Sequence, residues 1–141
     1  MPIIGIDLTI TNLIPDGVYT GIVKSLTYQI SNTPKPEEPG KFSWSKDAVL
    51  EVDFSAWSQV SDNMRRLHYQ ITIPGKPSAF NDLYMGESSR GFLQGFMKAC
   101  NVPYTVAGFD PELAVGKQVK LEVSTVVNDR GTKNEISYSK V

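Results

Sequence analysis

Polar and apolar residues change their period along this chain. Residues 17–30, GVYTGIVKSLTYQI, are rich in β-branched and aromatic types, with Val18, Ile22, Leu26, Tyr28 and Ile30 on one parity. They predict a long first strand, bent where Gly21 permits a bulge or tight coil. Residues 47–55 alternate Leu50, Val52 and Phe54 with Glu51 and Asp53 and predict a second strand. Residues 64–73 predict a third. In it Leu67, Tyr69, Ile71 and Ile73 face in, Arg66, His68, Gln70 and Thr72 face out, and Pro74-Gly75-Lys76-Pro77 stops the strand. After Gly86 the period lengthens. Ser88 and Ser89 are candidate N-caps, Phe92, Leu93, Phe96, Met97 and Cys100 form a helical stripe, and Asn101-Val102-Pro103 ends it. Asp110-Pro111-Glu112-Leu113 predicts one helical turn within a connection. Two strands over 117–127 and 133–140 finish the chain, joined by the hairpin signal Asn128-Asp129-Arg130-Gly131-Thr132.

Three strands, a helix, then two strands is the order of an OB-fold, a five-stranded Greek-key barrel with its helix between strands 3 and 4. The expected class is therefore all-β with one helix, in a single domain over residues 1–141, with residues 1–16 as an N-terminal arm or an edge strand. A ferredoxin-like βαββαβ sheet needs a helix directly after strand one. The proline-rich stretch SNTPKPEEPG stands there instead.

Composition narrows the function. A chain of 141 residues buries a core without staples, and its one cysteine, Cys100, excludes an internal disulfide framework. Fourteen basic residues against fifteen acidic give a net charge of −1. That balance argues against a partner held by a broad electropositive surface and leaves room for a local basic groove. No charged n-region opens the chain, and no apolar run approaches the ~20 residues of a membrane helix. A cytoplasmic protein with no membrane partner is expected.

Catalytic chemistry finds little support. His68 is the one histidine, it lies on the polar parity of a strand, and no serine sits in a GxSxG elbow. One Cys and one His cannot build a zinc site. Glu51 and Asp53 share one strand face, which reads more simply as solvated than as a cation site. Val115-Gly116-Lys117 lacks the upstream glycine of a phosphate loop. No catalytic residue, metal or cofactor is expected. A phosphodiester hydrolase using Glu51, Asp53 and His68 is the weakest alternative.

What remains is rings beside cations. Binding single-stranded nucleic acid needs flat side chains for bases, worth ~1–3 kcal/mol per stacked base, and cations that follow the phosphates. OB-folds gather both on the strand 2–3 face and on the loops joining strands 1–2 and 4–5. The first loop supplies Lys41, Phe42, Trp44 and Lys46. Trp57 follows the second strand, and Arg65, Arg66 and His68 open the third. Lys120 lies on the outward parity of strand four, and Arg130 and Lys133 flank the last hairpin. Each has a plainer reading. Trp44 and Phe42 also fit as a lid on the barrel, Trp57 as a partly buried ring, and the arginines as ordinary surface charge. Glu37, Glu38, Glu51 and Asp53 oppose phosphate locally. A protein-interaction module anchored by Phe42 and Trp44 is thus the main alternative.

The segments also resemble a known family. Pro15-Asp16-Gly17-Val18-Tyr19-Thr20-Gly21-Ile22-Val23 is similar to the Pro-x-Gly-x-Tyr-x-Gly-x-Val opening of a group of bacteriophage single-stranded-DNA-binding proteins. GFLQGFMKACNV resembles that group's segment ending in Lys-Ala-Cys-Gly-Val, with Asn101 in the place of glycine. FDPELAVGKQVKLEVSTVVNDRGTKNEISY resembles its ending, with Ala114-Val115 replacing a leucine-rich lead-in. The likeness spans residues 15–140. It implies an OB-fold that coats single-stranded DNA during phage replication or recombination, in the cytoplasm of the infected host. The DNA would be bound without sequence preference; phage or host replication and recombination proteins, and further copies of the chain in a homo-oligomer, are partners left open by the sequence. Ser139-Lys140-Val141 is not acidic, so recruitment through an acidic tail is not expected.

Overall fold

The computed structural model describes residues 13–38, 42–45, 48–129 and 131–141. The order is β1 (Gly17–Ser31), β2 (Thr33–Pro34), β3 (Phe42–Ser43), β4 (Val49–Val52), α1 (Phe54–Trp57), β5 (Arg65–Thr72), β6 (Ala79–Tyr84) and α2 (Arg90–Ala99), then β7 (Tyr104–Thr105), β8 (Gly108–Phe109), β9 (Gln118–Asn128) and β10 (Gly131–Ser139). The protein is mostly β, with one substantial helix. One antiparallel sheet runs β10-β9-β1-β5-β6, and β4 also pairs with β1. β2–β3 and β7–β8 are separate two-stranded ladders.

β1 organises the sheet. Ile22–Ile30 pair with β5 along one edge, while Gly17–Ile22 pair with β9 and Tyr28–Ser31 with β4 along the other. The register slips between Val23 and Ser25. That bulge exchanges the faces of the strand. Before it the odd residues Tyr19, Gly21 and Val23 face the core; after it the even residues Leu26, Tyr28 and Ile30 do. The single parity expected for 17–30 is therefore corrected: Val18 and Ile22 are exposed. Gly21 stands where a Cβ would come within 2.8 Å of Ile71 Cγ2 and 2.9 Å of Leu121 Cδ1. Only glycine fits this crossing without displacing the core.

The interior is built from Val23, Leu67, Tyr69, Ile71, Leu83, Val119 and Leu121 of the sheet, covered by Leu93, Phe96 and Met97 of α2. Ile14 joins it, its N–H donating to Asn134 Oδ1 at 2.8 Å and its carbonyl accepting from Asn134 Nδ2 at 2.9 Å. α2 ends as Asn101 turns into the left-handed region at φ +58°, while the Val102 amide donates to the Met97 carbonyl. Asparagine tolerates that conformation, so it serves where a glycine is usual.

Two further expectations change. Residues 47–55 give only the short β4, because Asp53 caps α1, its Oδ1 accepting from the Ala56 amide at 2.8 Å. Leu50 and Phe54 are exposed rather than inward. The third long strand of the β1-β5-β6 run is β6, absent from the sequence expectation. On α2 the stripe holds at Leu93, Phe96, Met97 and Cys100, but Phe92 is 75% exposed. Of the expected arm, residues 1–12 lie outside the described residues. Among the described residues no helix is long and apolar enough to cross a membrane, and no strand pairs with the outer edge of β6 or of β10.

Candidate nucleic-acid interface

Alternation on β5 sends Leu67, Tyr69 and Ile71 inward and leaves Arg66, His68 and Gln70 on the other face. The register extends that face sideways. Gln29 of β1, Arg66 and Tyr84 of β6 form one row; Thr27, His68 and Asp82 the next; Gln70 and Phe80 the third. Glu51 of β4 lies opposite Gln29 and ends the first row.

Trp44 comes down onto the first row. The Arg66 guanidinium lies 4.6 Å from the centre of its ring and 5.8 Å from that of Tyr84, and the two rings meet edge-to-face at 5.3 Å. Arg66 Nε donates to Gln29 Oε1 at 2.8 Å and Nη1 to the Tyr84 hydroxyl at 3.3 Å. The cation is held by two polar partners and two π faces, so its direction is fixed before any ligand arrives. Asp82 Oδ2 lies 3.5 Å from Arg66 Nη1, and Asp82 Oδ1 is hydrogen-bonded to His68 Nδ1. His68 stacks on Phe80 at 5.3 Å and 18°. Phe80 is 56% exposed, a large ring left in water on a strand face. A shallow pocket of about 490 Å³ opens beside Trp44, walled by Gln29, Val49, Glu51, Arg66 and His68. Two ring clusters, Trp44–Tyr84 and His68–Phe80, thus share one surface, and the Arg66 guanidinium packs against both rings of the first. A planar heterocycle can stack there and an anion can meet Arg66, at the cost of competing with Asp82.

The other expected residues divide. Trp57 is 6% exposed and belongs to the interior. Its indole N–H is shared between the carbonyls of Gln29 and Arg66, at 3.2 and 3.1 Å, and its ring packs on Tyr28 and Phe54. Of its two expected readings, the buried ring holds and the stacking platform does not: Trp57 supports Arg66 from beneath. Arg65 faces away from Arg66: its guanidinium lies 4.7 Å over Trp57, it is ion-paired with Asp62, and its Nε is buried without a hydrogen-bond partner. It too is structural. Phe42 is half-buried in β3, opposite Pro34. Lys120 and Lys133 are exposed on β9 and β10, on a face that also carries Glu122 and Glu135. Lys120 pairs across to Thr20, nine positions from Gln29 along β1, which is about 30 Å at ~3.3 Å per residue. It lies far from the Trp44 cluster. Lys41, Lys46 and Arg130 lie outside the described residues.

Gln29, Phe80, Asp82 and Tyr84 escaped the sequence analysis. The β6 sequence AFNDLY carries turn-forming Asn81-Asp82 at its middle and apolar residues on both parities. The signal it does hold is Phe80 and Tyr84 four apart, which puts two rings on one strand face. Among the described residues no three His, Cys, Asp or Glu gather as a metal site.

No protein-family model and no curated protein matches this chain.

Proposed function

We propose that this protein is an OB-type barrel that binds single-stranded DNA without sequence preference and without catalysing a reaction on it. The outer face of β1, β5 and β6 is the contact surface in this reading. The observation that carries it is the Arg66 guanidinium packed against the touching Trp44 and Tyr84 rings, with Phe80 exposed on the same face. Support for the OB type comes from the path β10-β9-β1-β5-β6, with α2 between β6 and β9 in the chain. Support also comes from the segments that resemble phage single-strand binders, where Asn101 adopts the backbone conformation a glycine would supply. Coating DNA during phage replication or recombination, in the host cytoplasm, is the role that fits this resemblance. Arg66, with Lys41 and Lys46 of the preceding loop, supplies the phosphate contacts.

The test is a titration of poly-dT and of duplex DNA at 50 and 200 mM salt, followed by tryptophan fluorescence. With about three phosphates neutralised, log K falls with log salt at a slope of about −2, so binding to poly-dT weakens roughly twentyfold over that range. Trp44 carries the quench, because Trp57 is buried. Equal affinity for duplex, or no binding, refutes the reading.

A second reading has one observation in its favour. Asp82 pairs with both Arg66 and His68, so the face is less cationic than its residue types suggest. A protein partner anchored on Trp44 would suit that balance. Trp44→Ala separates the two. Loss of poly-dT binding by roughly tenfold with an unchanged Tm supports DNA; intact DNA binding supports the protein partner.

A further inference from the structure

An open depression of about 520 Å³ lies between α2 and the β7–β8 ladder, on the side of β5 that Arg66 does not face. Alternation is the reason: Arg65 and Arg66 are neighbours on β5 and leave the strand on opposite sides. The floor is Leu93 and Met97 of α2, Met85 just past β6, and the cross-strand pair Tyr104 and Phe109. Two guanidiniums, Arg65 and Arg90, line the same opening against one carboxylate, Asp62.

The charges there do not balance. Arg65 is held: Nη2 is ion-paired with Asp62, the guanidinium lies 4.7 Å over the Trp57 ring, and Nε is buried without a hydrogen-bond partner. Arg90 is exposed at the first residue of α2 and makes no ion pair among the described residues. In a chain of net charge −1 this opening is locally cationic. Methionine, aromatic rings and arginine are also the residues enriched where proteins meet, and methionine adapts its shape to what lands on it. Nucleic acid fits less well. Tyr104 and Phe109 are half-buried, whereas Phe80, across the sheet, stands in water. A groove open between two walls also suits a segment of chain better than a small molecule, which needs enclosure. Val106, fully exposed at the tip of the ladder beside Thr105 of the lining, extends the apolar surface available to such a segment.

We propose that this depression docks an acidic peptide segment of a partner protein. An aromatic or leucine side chain of the segment lies over Met85, Leu93 and Met97, and its carboxylates meet Arg65 and Arg90. Asp62 already takes part of the charge of Arg65, so Arg90 is the cation that decides. The site stands on the far side of β5 from Arg66 and does not depend on DNA binding.

Fluorescence anisotropy on the full chain tests it, with the fluorescein-labelled peptide Glu-Asp-Leu-Phe-Asp-Glu as probe. Saturable binding is expected. Arg90→Glu places a carboxylate in the first turn of a helix, which the fold tolerates. It should weaken binding about tenfold or more, the effect of losing a charge-assisted contact. A peptide with serine in place of its leucine and phenylalanine should bind as poorly. Lys76→Glu, in the exposed turn after β5 and at the far end of that strand from Arg65, should leave binding unchanged. No saturable binding, equal weakening by Arg90→Glu and Lys76→Glu, or full binding of the serine peptide overturns the proposal. Displacement of the peptide by oligo-dT assigns the depression to nucleic acid and overturns it equally.

Discussion

Arg66 has opposing neighbours. Gln29, Tyr84 and the Trp44 ring hold its guanidinium in place, and Asp82 competes for its charge. Removing that charge without changing shape is therefore informative. Asp82→Asn is expected to tighten binding of oligo-dT about three- to tenfold at low salt, the effect of one unscreened charge near a phosphate, and to lose most of that gain at high salt. Isothermal titration at two salt concentrations measures it; unchanged or weaker binding would argue that phosphates do not approach Arg66. At this scale the sequence was half legible. Arg66 and His68 were readable because a clean alternation on 64–73 leaves no doubt about which parity faces out. Burial of Trp57 was one of its two readings, but nothing local says that a ring after a short strand will turn under the sheet and bond to two carbonyls. Phe80 and Tyr84 were hidden by Asn81-Asp82, whose turn propensity is overridden here by pairing with Tyr69 and His68.

Elements were legible where pattern and packing agree. β5, α2, β9 and β10 fall within a residue or two of the expected bounds, as does the turn of helix at Pro111–Ala114. β1 is the instructive case. Its extent is right, but a bulge at Lys24 exchanges its faces, and period-two reading cannot see an inserted residue. Gly21 marks the stretch for a different reason, the close approach of Ile71 and Leu121. Gly21→Ala is expected to destabilise the protein by about 1–3 kcal/mol, because the new methyl must displace a branched side chain and approach the Thr72 carbonyl. Urea unfolding measures this. A stability equal to that of the unmodified protein would mean the strand crossing is looser than the distances indicate.

The whole molecule is near neutral, so its surface offers little long-range steering, and the proposed DNA binding would rest on the local patch around Arg66. Its interior keeps several acids uncharged. Burial pushes the Cys100 thiol from 9.0 up to about 11. Burial, and then Glu112, push the Tyr28 phenol from 10.0 to about 12. Tyr69 and Tyr138 are raised further, again chiefly by burial. An acid whose pKa is higher in the folded chain than in the unfolded one stabilises the fold fully below its unfolded value. That contribution is lost as the pH rises toward the folded value. Tm is therefore expected to hold up to about pH 9 and to fall steadily between pH 9 and 12. Cys100→Ala should flatten the first part of that fall. A Tm flat across the whole range would mean these groups are as solvated folded as unfolded.

One measurement bears most directly on the central claim, that the outer face of β1, β5 and β6 is where single-stranded DNA lies. It is a residue-resolved amide spectrum recorded as a short oligo-dT is added. The expected result is a set of shifts confined to Gln29, Trp44, Arg66, His68, Phe80 and Tyr84 and their immediate neighbours, with the Trp57 indole little changed. Shifts confined to the β7–β8 ladder or to the solvent face of β9 and β10, or no shifts at saturating DNA, would contradict it.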